Sequence, residues 1–218
     1  MEQELAGRTA FVSGSTQGIG YAIAAALLRE GASVVINGRS EERVETAAAS
    51  LRAEVPGADV GGIPADFGDA AQVDRLTEAL AGTDILVNNV GVFELKEFAE
   101  ISDAEWARYV DVNLMSGVRS ARAALPGMLE RGWGRILFVA SESGVDVPAD
   151  MIHYGVTKAA TIALGNGLAK LTRGTSVTVN TILGGPTYSD GVAETVAQIA
   201  ASQGMPVDDL KAAIAAGN

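Results

Sequence analysis

Tyr154 and Lys158 stand four residues apart in a stretch, 153–171, whose apolar spacing predicts a helix. Four residues is just over one helical turn, so both side chains project from one face. An unperturbed tyrosine ionises at about pH 10, too high for ready proton exchange at neutral pH; a nearby ammonium favours its phenolate. The pair by itself is common by chance, and its bland alternative is a surface contact worth little. Ser141 alters the balance, because it ends a buried strand-like run and can hydrogen-bond the substrate oxygen that Tyr154 would protonate. Proton exchange at a carbonyl or alcohol oxygen is the chemistry that suits these three.

A second group lies near the start. Ser13-Gly14-Ser15-Thr16-Gln17-Gly18-Ile19-Gly20 falls between an apolar strand-like run and an amphipathic stretch. Glycines let backbone turn tightly and approach a pyrophosphate, while the N–H groups and dipole of a helix start attract the anion. Tight turns also use glycine, so the evidence is the placement between strand and helix. The end of the next strand is where a dinucleotide fold chooses between NAD and NADP: an acid there binds the ribose 2′-hydroxyl and repels a 2′-phosphate. This chain has Asn37-Gly38-Arg39-Ser40, with glycine in the place of the acid and arginine beside it. A guanidinium pairs with phosphate through two parallel hydrogen bonds, so NADP is favoured and NAD remains open. The bland reading of Arg39 is a solvated residue at a helix start.

These groups must be positioned by regular elements. Strands are predicted over 9–13, 33–37, 60–65, 84–88, 135–140 and 176–181, mostly as continuous apolar runs of the kind buried on both faces of a parallel sheet. Helices are predicted after the glycine loop, with Gly31 as C-cap, and over 41–54, 69–80, 103–131 and 153–171. Alternation of this sort means right-handed crossovers and a doubly wound α/β sheet in three layers. No low-complexity linker precedes residue 184, so one domain, 1–218, is the expected count. From Gly184 onward the chain is rich in alanine, glycine and acids and shows two short helical patterns but no further strand.

Composition narrows the chemistry. The 218 residues contain no cysteine and one histidine, which excludes disulfides, thiolate metal sites and a multi-histidine zinc site; no metal is expected. A net charge of −11 with no basic arm argues against a nucleic-acid partner. The acidic start has no signal-peptide character and no apolar run reaches membrane-spanning length, so a soluble cytoplasmic protein is expected. Ser141, His153 and Asp150 superficially supply a hydrolase triad. His153 and Tyr154, however, are adjacent on a helix and point about 100° apart, and no Gly-x-Ser-x-Gly elbow surrounds Ser141. His153 is expected to pack or to line the substrate entrance.

The ordered motifs resemble the short-chain dehydrogenase/reductase family across almost the whole chain. They are the Gly-x-x-x-Gly-x-Gly loop, Asp66 after the third strand, Asn88-Asn89-Val90-Gly91 after the fourth, Asn113 in a long helix, Ser141 after the fifth, and Tyr154-x-x-x-Lys158. The resemblance implies a Rossmann-like fold and a nicotinamide cofactor held by residues 14–20, namely Gly14, Ser15, Thr16, Gln17, Gly18, Ile19 and Gly20. It also implies cofactor contacts from Arg39, Asp66 and Phe67 at the adenine end, and from Asn89, Gly91, Tyr154, Lys158 and Thr187 further along. Asn113, Ser141, Tyr154 and Lys158 would form the catalytic tetrad, with Tyr154 as proton donor, Ser141 orienting the carbonyl and Asn113 helping to hold a water in a relay from Lys158.

The implied activity is an NADP(H)-preferring interconversion of a ketone and a secondary alcohol, similar to that of 3-oxoacyl-carrier-protein reductases. NADP-using relatives often carry a second basic residue just before the second loop glycine, where this chain has Gln17. Relatives also have proline then glycine at 184 and 185, where this chain has two glycines. They continue through a further helix and a seventh strand that takes part in subunit assembly, so a homo-oligomer, dimer or tetramer, is expected and the usual last strand is absent from these 218 residues. Segment 184–218 would cover the substrate. The rival readings are an NAD-linked sugar, polyol or steroid-type alcohol dehydrogenase, and a cofactor-binding protein without turnover.

Overall fold

The computed structural model describes residues 5–185, Val196, Ala200 and 205–209. The chain divides into two compact units, Met1–Gly185 and Pro186–Asn218. In the first, six strands form one parallel sheet: β1 (Thr9–Val12), β2 (Ser33–Gly38), β3 (Val60–Pro64), β4 (Ile85–Asn88), β5 (Gly134–Ser141) and β6 (Val177–Gly184). Their order is β3-β2-β1-β4-β5-β6. This is the Rossmann-like arrangement that the alternating pattern predicts. In the second unit Val196 and Ala200 are helical and buried, and residues 207–209 form a further helical turn.

Helices α1 (Gly18–Arg29) and α2 (Glu41–Glu54) cover one face of the sheet, burying Ala24, Leu28, Val44 and Leu51 against Val12, Val34 and Ile36. On the other face α3 (Ala70–Glu78) and α5 (Ser116–Glu130) bury Leu76, Ala124 and Met128 against Phe11, Leu86, Ile136 and Phe138. Leu164 and Leu168 of α6 (Ile152–Leu171) pack on the same cluster. No described helix is long and apolar enough to cross a membrane.

The stretch 103–131, predicted as one helix, is helical but not uniform. It consists of α4 (Asp103–Tyr109), a π turn at Val110–Met115, and α5. A π turn inserts an extra residue and rotates the succeeding part of the helix, which brings Asn113 to face inward. Short 3-10 turns at Phe98–Glu100 and Glu142–Gly144 have no counterpart in the sequence pattern. β6 runs three residues beyond the expected end, because its pairing with β5 continues as far as Ser141 opposite Gly184.

Strand order reverses between β1 and β4, so the loops after these two strands diverge and leave a crevice at their carboxyl ends. One side chain ties three strands together at that edge. Asn37, fully buried in β2, accepts a hydrogen bond from the Gly14 N–H at 3.1 Å. Its Nδ2 donates to the Ile63 and Ala65 carbonyls at 3.0 and 3.2 Å. Replacing Asn37 by Ala strands these groups without partners, and an unsatisfied buried group costs about 1–3 kcal/mol. Urea unfolding of Asn37→Ala should therefore show a loss of about 2–4 kcal/mol; a loss below about 0.5 kcal/mol would show that the bonds are not holding this edge.

Candidate active site

The glycine loop leaves β1 in a tight path. Gly14 and Gly18 both have φ of 59°, in the left-handed region where side chains are rarely accommodated. Gly20 is required for a different reason: a Cβ there would lie 2.4 Å from the Gly14 carbonyl oxygen and 2.6 Å from Asn89 Nδ2. Gln17 occupies the N-cap of α1 but makes no side-chain cap. The positive end of the helix is thus left without a side-chain cap at the loop, as an anion site requires.

Several polar side chains are spent on the loop itself. Ser15, fully buried, donates to the Val12 carbonyl at 2.6 Å and accepts from the Asn37 N–H at 3.0 Å. Asn89 Nδ2 donates to the carbonyls of Ser13 and Gly14, each at 3.0 Å. Ser13 Oγ accepts from the N–H groups of Asn89 and Val90. Ser15 and Asn89 therefore hold the loop from beneath with their side chains. Ser13 and Asn37 do the same work and escape sequence reading, since each looks like an ordinary strand-end residue.

Beside the loop lies a cleft of about 570 Å³. Its lining includes Gly14, Thr16 and Gln17 of the loop, Asn37 and Gly38 at the end of β2, Arg39 after it, Arg43 of α2, and Asp66 and Phe67 after β3. Phe67 is almost wholly buried in the core behind this wall. Asp66 Oδ1 accepts from the Gly68 N–H, and the Asp66 N–H donates to Gln72 Oε1. Arg43 carries no motif that would mark it in the sequence. Its Nη2 donates to Gln17 Oε1 at 3.2 Å, joining α2 to the glycine loop.

Gly91 connects this cleft to the second group. It lies on the cleft wall, and a Cβ there would come within 3.5 Å of both Asn113 Oδ1 and Lys158 Nζ. Asn113 is buried in the π turn. Its Oδ1 accepts from the Val92 N–H at 2.8 Å; its Nδ2 donates to the Val92 carbonyl at 2.9 Å and to Thr157 Oγ1 at 3.1 Å. Thr157 in turn donates to the Tyr154 carbonyl at 2.7 Å. One carboxamide thereby links the loop after β4, the π turn and α6. Thr157 is a positioning residue that the Tyr-x-x-x-Lys spacing does not reveal.

Tyr154 and Lys158 share a face of α6 as their spacing predicts. Lys158 Nζ stands 5.5 Å from the centre of the Tyr154 ring and donates to the Val139 carbonyl at 2.9 Å. Ser141 ends β5 and caps the 3-10 turn, its Oγ accepting from the Ser143 N–H. Burial raises the Tyr154 pKa above its ordinary value, and the Ser141 hydroxyl beside it acts in the opposite direction. Burial lowers Lys158 to about 8, which leaves it mainly an ammonium at neutral pH. Phe93 packs edge-on against Tyr154, with ring centres 6.2 Å apart.

His153 points elsewhere. It is buried between Trp106 and Tyr109, 3.9 Å from the latter's ring centre, and burial lowers its pKa. It packs rather than facing Ser141. Thr187 and segment 188–195 lie outside the described residues.

The short chain dehydrogenase family model matches residues 8–200. The chain belongs to that family. It is 43% identical over 212 residues to the uncharacterized oxidoreductase YvrD of Bacillus subtilis, an alignment covering 95% of this chain and 79% of that protein. It is 34% identical to the D-beta-hydroxybutyrate dehydrogenase of Cupriavidus necator, covering 95% and 81%. Among solved structures, L-sorbose reductase from Gluconobacter frateurii, complexed with NADPH and L-sorbose, superposes with a TM-score of 0.89 at 32% identity, covering 96% of this chain and 81% of that one. This short-chain dehydrogenase is an NAD(P)-dependent oxidoreductase of ketones and alcohols.

The depressed Lys158 pKa has a consequence for the cofactor-free protein. Below pH 8 the lysine is charged in both folded and unfolded chains, and the burial penalty, roughly 3 kcal/mol, is fully present. Between pH 8 and 10.5 the unfolded chain binds the proton and the folded one does not, so stability rises with pH. Above that window the penalty is gone. In Lys158→Met it is absent throughout. The stability difference, wild type minus variant, should therefore climb as pH is raised through this window in paired urea titrations; a flat difference would show that Lys158 is not desolvated.

Proposed function

We propose that this chain is an NADP(H)-preferring enzyme interconverting a ketone and a secondary alcohol, with Tyr154 as general acid and base. The observation that carries the cofactor preference is at Gly38. A Cβ there would lie 2.4 Å from Thr16 Cγ2, so an acidic side chain, which would mark an NAD site, has no room unless the Thr16 side chain shifts. Arg39 stands next to it on the cleft wall, with no ion pair among the described residues. The NADPH complex of the L-sorbose reductase that this chain resembles supports the same choice.

The cradle also fits a dinucleotide. The start of α1, where Gln17 makes no side-chain cap, and the close backbone at Gly14 and Gly20 suit a pyrophosphate, and the cleft beside Arg39 suits the adenosine end. Thr16, Gln17, Asp66 and Gly91 are available along its walls. When bound, the nicotinamide exchanges a hydride with the substrate carbon.

The chain's own residues handle the oxygen. Ser141 hydrogen-bonds and orients it. Tyr154, whose raised pKa keeps its proton at neutral pH, donates that proton as the oxygen gains negative charge. The Lys158 ammonium stabilises the phenolate left behind. In the oxidative direction the phenolate takes the proton back. Asn113, through Thr157 and Val92, holds these groups in register; we assign it the relay position next to Lys158.

Assays with NADPH or NADH and a panel of ketones and sugars, read at the reduced-nicotinamide absorbance, test the whole reading; binding without turnover on any substrate would leave a cofactor-binding protein instead. Tyr154→Phe should cut kcat by at least about 100-fold while leaving cofactor affinity within about twofold. Retained turnover would remove Tyr154 as proton donor. Arg39→Asp should lower the NADPH-over-NADH preference by about tenfold or more, the worth of a lost charge-assisted pair, and an unchanged preference would remove Arg39 from the site.

A further inference from the structure

Arg43 sits in the first turn of α2, where the helix dipole favours acids and disfavours cations. It nonetheless makes no ion pair among the described residues, although Glu41 and Glu42 are its neighbours in that turn. Its one hydrogen-bonding side-chain contact there is to a neutral acceptor, Gln17 Oε1, so its full charge and its remaining N–H donors are uncommitted. Arg39 has no side-chain hydrogen bond or ion pair among the described residues either. Both line the same cleft.

Neither aspartate on the cleft lining pairs with them among the described residues. Asp69 is engaged by the Ala71 and Gln72 N–H groups and by Gln72 Nε2, and Asp66 accepts from the Gly68 N–H. Arg108 adds a third positive charge to the lining. Two guanidiniums without carboxylate partners among the described residues, one just after β2 and one in the first turn of α2, line the same cleft and suit a doubly charged oxyanion.

We infer that Arg43 is a second specificity-determining cation for the ribose 2′-phosphate of NADP(H), aimed at it by Gln17. Gln17 is a positioning residue. The missing basic residue in the loop is replaced by Arg43 from the first turn of α2, and a lysine or arginine at 17 would repel Arg43 rather than orient it. This rests on the NADP(H) reading, because it names a further residue of that same site.

The test measures dissociation constants of NADPH and NADH by fluorescence titration of the full chain, without substrate. For wild type, NADPH should bind more tightly; equal affinities would overturn the NADP(H) reading and this inference with it. Given that preference, R43Q should lower the NADH-to-NADPH ratio of dissociation constants about tenfold, equivalent to about 1.4 kcal/mol. R43K, which keeps the charge, should retain more of the ratio than R43Q. Q17E, which pairs the guanidinium with a carboxylate, should reproduce much of the loss with Arg43 still present. Adenosine 2′,5′-bisphosphate should weaken in R43Q while adenosine 5′-monophosphate does not. An unchanged ratio in R43Q, or an equal loss for both cofactors, would overturn the inference and leave the NADP(H) reading standing on Arg39.

Discussion

The carboxyl edge of the sheet depends on one constraint: the polar backbone of the turn between β1 and α1 must be satisfied from below so that its upper side stays open. A loop of this tightness cannot supply its own partners, and buried backbone groups without partners are costly. Asn37 in β2 and Asn89 after β4 supply them, while the side chains of Ser13 and Ser15 tie the turn to the Val90 and Asn37 N–H groups. Glycine then does what no side chain could. At Gly20 the carbonyl of Gly14 and the amide of Asn89 already occupy the space a Cβ would need. The result is a helix start without a side-chain cap from Gln17, beside a cleft that lies where the strand order reverses.

The reacting end is built by the same means but with the opposite effect on charge. Asn113 is saturated by Val92 and Thr157, and through Thr157 it fixes the first turn of α6, on which Tyr154 stands. Burial then shifts both partners of the pair towards their neutral forms: Tyr154 upward, Lys158 down to about 8. An exposed pair would have a fully solvated ammonium and little influence on the phenol. Here the charge is partly desolvated and held by the Val139 carbonyl, so its field at the ring is less screened. With its pKa raised, Tyr154 keeps its proton at neutral pH, which is what the proposed general-acid role needs.

Residues whose meaning is local were legible in the sequence. Apolar runs located the six strands, and the amphipathic pattern placed α2 at 41–54 as observed. Tyr154 and Lys158 were legible because helical spacing alone puts them on one face. What escaped depends on contacts across long sequence separations. Asn37 looks like one more strand residue until Gly14, Ile63 and Ala65 converge on it. The π turn is hidden because one inserted residue barely disturbs an apolar pattern read over 29 positions. Arg43 is masked by Glu41 and Glu42, which make it look like part of a solvated charged face. Phe67 shows the converse: placed at the cofactor by resemblance, it lies on the cleft wall yet gives most of its surface to the core.

The net charge of −11 and an anionic cofactor are compatible for a reason of distance. At physiological ionic strength exposed charges are screened over about 8 Å. Acids spread over the surface therefore act weakly inside the cleft, whereas groups on its walls act at short range and in a lower dielectric. On those walls Arg39, Arg43 and Arg108 stand against Asp66 and Asp69, and both aspartates already accept backbone N–H bonds that disperse their charge. The local sign is thus the reverse of the global one. Net charge therefore says little about which ions the cleft accepts, and the arginines on its lining say more.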